Sequence, residues 1–199
     1  MLRHQGKYEV AGKIAREALN EDPLHPWAGY ELYLAEKKGE QGSGKEQLRK
    51  LNQVLQANKD QSHLEMAANY INCGLQDDAL LMLEEYSTSK GTDHPMVHYY
   101  MGYLYDQTGE EAKATRLYKK AASMPPDYCF PFRLESLKIL KRVAEAQPED
   151  DRAHYYLGNL LYHYKQEKKA IEKWKRSEVL NSEDGRVVVI YAQPMSMHI

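Results

Sequence analysis

Histidine spacing is the first place in this chain where chemistry could reside. His94 and His98 stand i, i+4, the separation at which one helix face offers two imidazoles to a zinc ion. Pro95 lies between them, however, and proline belongs in the first turn of a helix, which leaves His94 outside it. No Cys or Glu completes a ligand set around His63, His98 or His154, so these rings read as half-buried side chains with a wet tip. Paired carboxylates at Glu84-Glu85, Glu110-Glu111 and Glu149-Asp150-Asp151 raise the question of acid–base catalysis. They fall at helix starts or on solvent faces, where carboxylates complement the helix dipole. Cys73 and Cys129 are isolated, which gives neither a disulfide framework nor a Cys-x-x-Cys metal site and suits a reducing compartment. No Gly-rich phosphate loop or nucleophile motif occurs. We therefore expect no catalytic residues, no metal and no cofactor: the chain reads as a non-enzyme.

The elements that carry these residues repeat. His98-Tyr99-Tyr100-Met101-Gly102-Tyr103-Leu104-Tyr105 returns as His154-Tyr155-Tyr156-Leu157-Gly158-Asn159-Leu160-Leu161. Each glycine is followed twelve residues on by an alanine, Ala114 and Ala170, and four further by an aromatic, Tyr118 and Trp174. Self-similarity of this kind means stacked copies of one small unit. The arrangement resembles the tetratricopeptide repeat, a pair of helices, A and B, spanning about 34 residues. That pattern places Leu at position 7, Gly or Ala at 8, Tyr at 11, Ala at 20, an aromatic at 24, Ala at 27 and Pro at 32. Counting from Pro95 gives Met101, Gly102, Tyr105, Ala114, Tyr118, Ala121 and Pro126; counting from Asp151 gives Leu157, Gly158, Leu161, Ala170, Trp174 and Ser177, with Ser182 replacing the proline. Upstream, Met66, Ala67, Tyr70, Ala79 and Leu83 fit a third copy, which ends in a polar connection from Ser87 to Asp93. A degenerate pair precedes it: Pro26 to Lys38, a loop from Gly39 to Gly44, then a helix with Leu48, Leu51, Val54 and Leu55 on one face.

The resemblance implies an all-α, right-handed superhelical array of antiparallel helix pairs, about ten helices in a single array over residues 1–199. Two departures stand out. The repeated phrases lie 56 residues apart rather than 34, which leaves room for one extra helix around residues 131–147, marked by Leu134, Leu137, Leu140 and Val143 and closed by Pro148. The β-branched stretch Val187-Val188-Val189-Ile190 lacks helical periodicity. At the other end, Tyr8, Ala11, Ala15, Ala18 and Pro23 have the spacing of a lone helix B, so the chain is expected to be a piece of a longer protein whose uncapped ends self-associate. The stretch from Met124 to Tyr162 also resembles the helical tail of large bacterial proteins in which such repeats follow a β-rich domain similar to carbohydrate-active enzymes.

Composition narrows the partners. The net charge of −2 comes from 27 basic and 29 acidic residues, interspersed, with no stripe to neutralise phosphates, so nucleic acid is not expected. No apolar run reaches a membrane span and the start has no secretory signal, which points to a cytoplasmic chain with no membrane contact. Tyrosine is abundant, 16 residues against 2 Phe and 2 Trp, and its polar-tipped ring suits interfaces. In the tetratricopeptide family, helix A positions 2, 5, 9 and 12 line a concave groove. Here they are Trp27, Tyr30 and Leu34; Gln61, Leu64 and Ala68; Met96, Tyr99, Tyr103 and Asp106; Arg152, Tyr155, Asn159 and Tyr162. Such a surface fits a scaffold that grips a protein or peptide partner, or another domain of the same polypeptide. The alternative is a carbohydrate-binding accessory region of a larger sugar-active enzyme.

Overall fold

The helix boundaries follow the punctuation in the sequence. The computed structural model describes residues 2–39, 44–90, 92, 94–125 and 129–181. Among them are ten α-helices and no strand: α1 (Tyr8–Glu21), α2 (Pro26–Lys38), α3 (Lys45–Val54), α4 (Lys59–Asn72), α5 (Gln76–Lys90), α6 (Pro95–Gln107), α7 (Glu111–Ala122), α8 (Leu134–Ala146), α9 (Asp151–His163) and α10 (Glu167–Leu180). Pro26 and Pro95 each open a helix, where a missing N–H costs nothing. Asp150 caps α9 by accepting the Ala153 amide at 2.9 Å. The extra helix exists and begins at Leu134, with Arg133 extended at its N-cap. The connection expected from Ser87 to Asp93 is shorter than expected: nothing breaks the helix before Gly91, and α5 runs on to Lys90. Val187 to Ile190, Ser182, Pro126 and most of the loop between Gly39 and Gly44 lie outside the described residues.

Two compact units divide the chain, Met1–Asn69 and Tyr70–Ile199. In the first, α2 packs between α1 and α3 and buries Tyr30, Leu32, Tyr33, Leu34 and Ala35. Arg3, buried, forks onto Glu31 of α2 at 3.1 and 3.2 Å, and Arg16 of α1 meets Glu36 of α2 at 3.0 Å. In the second unit, α6 packs with α7 and α9 with α10 as helical hairpins, while the single helix α8 lies against both α6 and α9. Leu137, Ile139, Leu140 and Val143 form its buried stripe.

The two hairpins of the second unit turn in the same way. After α6 the chain passes through Gly109 at φ 79°, and the Glu110 amide closes back onto the Tyr105 carbonyl. After α9 the same left-handed position is occupied by Lys165 at φ 59°, and the Gln166 amide closes onto Leu161. Both turns bring helix B back antiparallel to helix A.

Candidate functional site

The repeated glycines set the geometry of each hairpin. A Cβ at residue 102 would sit 2.5 Å from the Tyr118 ring, and one at residue 158 would overlap the Trp174 indole. Each glycine therefore holds an aromatic ring of the following helix against bare backbone. The rings differ in what surrounds them. The Trp174 Nε1–H donates to Asn159 Oδ1 at 3.0 Å, and the Tyr162 ring leans on the indole with centroids 5.6 Å apart. Tyr118 lies buried, and burial raises its hydroxyl well above the ordinary tyrosine range.

The histidines of the repeated phrase have a role that their spacing did not reveal. His98 and His154 are buried, not half-wet, because each ring's Nε2–H donates to a backbone carbonyl six residues earlier. His98 reaches Thr92 at 3.3 Å and His154 reaches Pro148 at 3.2 Å. A carbonyl only accepts, so each Nε2 carries its proton. Burial holds the His154 imidazole below its usual value, and the nearby Lys173 and Arg176 charges add to this. His94 stands at the N-cap position of α6, outside the helix, with no capping bond from its ring. His63 differs, its Nδ1 lying 2.6 Å from the Lys59 carbonyl. No group of three His, Cys, Asp or Glu among the described residues is arranged to hold a metal ion.

The groove positions divide sharply by accessibility. On α6, Met96, Tyr99 and Tyr103 are buried. The Tyr99 hydroxyl donates to the Asp150 carboxylate, with its two oxygens at 2.9 and 3.0 Å. Burial pushes that carboxyl up to about 6, against the opposing pull of the Ala153 amide and the Tyr99 hydroxyl. The Tyr99 hydroxyl itself is raised far above 10, by burial first and then by the Asp150 charge. Asp106 is held by Arg142 of α8 at 2.9 Å, and Lys138 of α8 stands over the Tyr103 ring. The extra helix and the loop ahead of α9 thus use the α6 positions that an uninterrupted repeat would leave free. On α2, Tyr30 and Leu34 are likewise core, Trp27 is half-buried against an apolar cleft, and on α4 Gln61 bonds Glu65 at 3.1 Å.

α9 keeps its face. Arg152, Tyr155 and Asn159 are half-buried and Tyr162 is 42% exposed, at spacings that align them along one side of the helix. Tyr155 abuts Tyr156 edge-on at 5.7 Å, and Arg152 lies 3.7 Å from Asp151. Guanidinium, ring, amide and ring follow one another along this side of the helix.

No protein-family model matches the chain, and no curated protein sequence is significantly similar to it. Solved structures align over most of its length. MamA is 17% identical, with 93% of this chain and 95% of that one covered and a TM-score of 0.37. YrrB, described as a TPR protein with an unusual peptide-binding site, is 15% identical, with 96% and 87% covered and a TM-score of 0.33. A MamA fragment from Desulfovibrio magneticus RS-1 is 16% identical, with 92% and 90% covered and a TM-score of 0.28. Superposition this loose transfers no residue role. The resemblance rests on the chain's own geometry, in which glycine at position 8 meets an aromatic at position 24 in both copies.

The helix pairs are tetratricopeptide-like. In that frame α6 and α9 are helices A, α7 and α10 are helices B, and α8 is an insertion between two repeats. No helix among the described residues is long and apolar enough to cross a membrane.

Proposed function

We propose that the chain is a non-catalytic scaffold for protein–protein interaction and that its contact surface is the face of α9 that carries the expected groove positions. The supporting observation is the row Arg152, Tyr155, Asn159 and Tyr162, which remains partly accessible where Met96, Tyr99 and Tyr103 of α6 are buried. Tyrosine and arginine dominate binding energetics where rings can be desolvated against a partner. Asn159 is already fixed by the Trp174 indole, so the row has a preset shape and loses little freedom on binding. The occupant is an extended peptide or another domain of the same polypeptide.

A sugar ligand is the competing reading, favoured by the exposed Tyr162 ring beside Trp174, which presents a flat aromatic surface. Titration of a peptide library and of oligosaccharides against Trp174 fluorescence, with Trp27 replaced by Phe, separates the two. The scaffold reading expects saturable peptide binding that Tyr155→Ala and Tyr162→Ala weaken. Response to oligosaccharides alone would overturn it in favour of the accessory role.

A further inference from the structure

A second surface, distant in type from the aromatic row, lies where α5, α6 and α7 meet. There a cleft of about 630 Å³ is lined by Glu84, Ser87, Thr88, His98, Met101, Arg116, Leu117 and Lys120. Arg116 and Lys120 stand i, i+4 on α7, so both charges project from one side of that helix. Both are exposed, and among the described residues neither makes an ion pair. This is unusual in a chain where Arg3, Arg16, Arg49, Arg133, Arg142, Arg152 and Arg176 all do. Among the described residues the lining holds one carboxylate, Glu84, which already accepts the Tyr105 hydroxyl. Across from the cations, α5 supplies two hydroxyls, Ser87 and Thr88. Met101 and Leu117 give an apolar floor, and the buried His98 ring is held in place by its Thr92 bond.

From this we infer that the cleft between α5, α6 and α7 binds a phosphate monoester, carried either by a small molecule or by a phosphorylated side chain. A guanidinium fork, an ammonium and two hydroxyls together offer donors for more than two oxygens, which matches a dianionic tetrahedral group better than a planar carboxylate. The volume exceeds what a bare phosphate fills, and the apolar floor receives the group that the phosphate is attached to. The site stands independently of the α9 face, which contributes none of these residues.

Amide resonances of the intact, isotope-labelled chain report on it directly. Four probes are titrated: inorganic phosphate, glycerol 3-phosphate, a short phosphoserine peptide and the same peptide with aspartate in place of phosphoserine. Saturable shifts are expected at Ser87, Thr88 and along Arg116 to Lys120. The double substitution Arg116→Gln with Lys120→Gln should weaken binding by about tenfold or more, the scale of a lost charge-assisted contact. Lys119→Gln, one position away on the same helix, should change it by less than about twofold. All three side chains are exposed, so the fold is unaffected by either substitution. Tighter binding of glycerol 3-phosphate identifies a small-molecule ligand, and tighter binding of the phosphopeptide identifies a protein partner. Absence of saturable shifts, equal affinity for the aspartate peptide, or an equal loss in Lys119→Gln would each overturn the assignment.

Discussion

At residue 158 a side chain has nowhere to go. The Trp174 indole covers the glycine and is itself fixed by Asn159 and Tyr162, so nothing at this contact can yield cheaply. Gly158→Leu is expected to cost about 3 kcal/mol or more, at the upper end for overpacking, and thermal unfolding by circular dichroism measures it. Asp150 gives a second prediction, with a definite sign. Its folded pKa, about 6, lies above the ordinary aspartate value of 3.8, so the fold prefers the protonated carboxyl. Stability from this group is therefore gained as pH falls from 6 towards 4 and is absent above 6. His154 works in the opposite direction: its folded pKa is lowered, so its contribution is lost as pH falls below 6.5. Asn caps a helix as well as Asp does and never ionises. Asp150→Asn should thus be more stable than the parent at about pH 7.5, by at most on the order of 3 kcal/mol, and keep only about a third of that advantage at about pH 4.5. A constant difference across that range would refute it. The glycine contacts were legible in the sequence because both partners are marked by residue type at a fixed spacing. The Tyr99–Asp150 bond was not, since its partners lie 51 residues apart in different repeats.

At the scale of the element, the hairpin turns carry a built-in comparison. Gly109 and Lys165 occupy the same left-handed position in two copies of one turn, and only the glycine adopts it without a steric penalty. Lys165→Gly is expected to raise stability by about 1 kcal/mol and Gly109→Ala to lower it by a similar amount, both read from melting curves. Helix placement was the most legible property of the chain, because prolines and periodic apolar residues mark it without help from tertiary contacts. The bounds of α2 were readable to the residue from Pro26 and the Gly39 that follows Lys38. The groove was less legible for a specific reason. Positions on an ideal repeat say which face a residue takes, not what covers that face. α8 breaks the repeat and lies on α6, where Ser136 meets the Tyr100 hydroxyl at 2.9 Å and Arg142 takes Asp106. Tyr103 is thereby drawn into the core, and on α2 the neighbours on both sides do the same to Tyr30.

For the whole molecule, the question is which surfaces meet other molecules. On α1, Val10 and Ile14 are 48% and 51% exposed, one turn apart. Beside them an apolar cleft of about 280 Å³ is lined by Ala11, Ile14, Ala15, Ala18 and Trp27. Repeat faces are made to be covered by a neighbour, and an uncovered one is adhesive. Sedimentation should show concentration-dependent self-association that Ile14→Glu suppresses, leaving helicity unchanged. A single monomeric species at high concentration would show that this face is not an association surface. The segment around Phe130, Phe132 and Leu134 is also exposed and apolar, and it gives a second substitution, Phe132→Ser, as a control for nonspecific adhesion.

The paired bonds from His98 to Thr92 and from His154 to Pro148 also constrain how such a sequence can drift. Each imidazole is tied to a carbonyl six positions back, across the junction that begins a helix. An exchange of residue type within that interval leaves the bond in reach. One residue added or removed does not. The histidine works as a ruler: a chain that keeps it must keep the count, and a chain that lengthens the junction must give up the ring along with it.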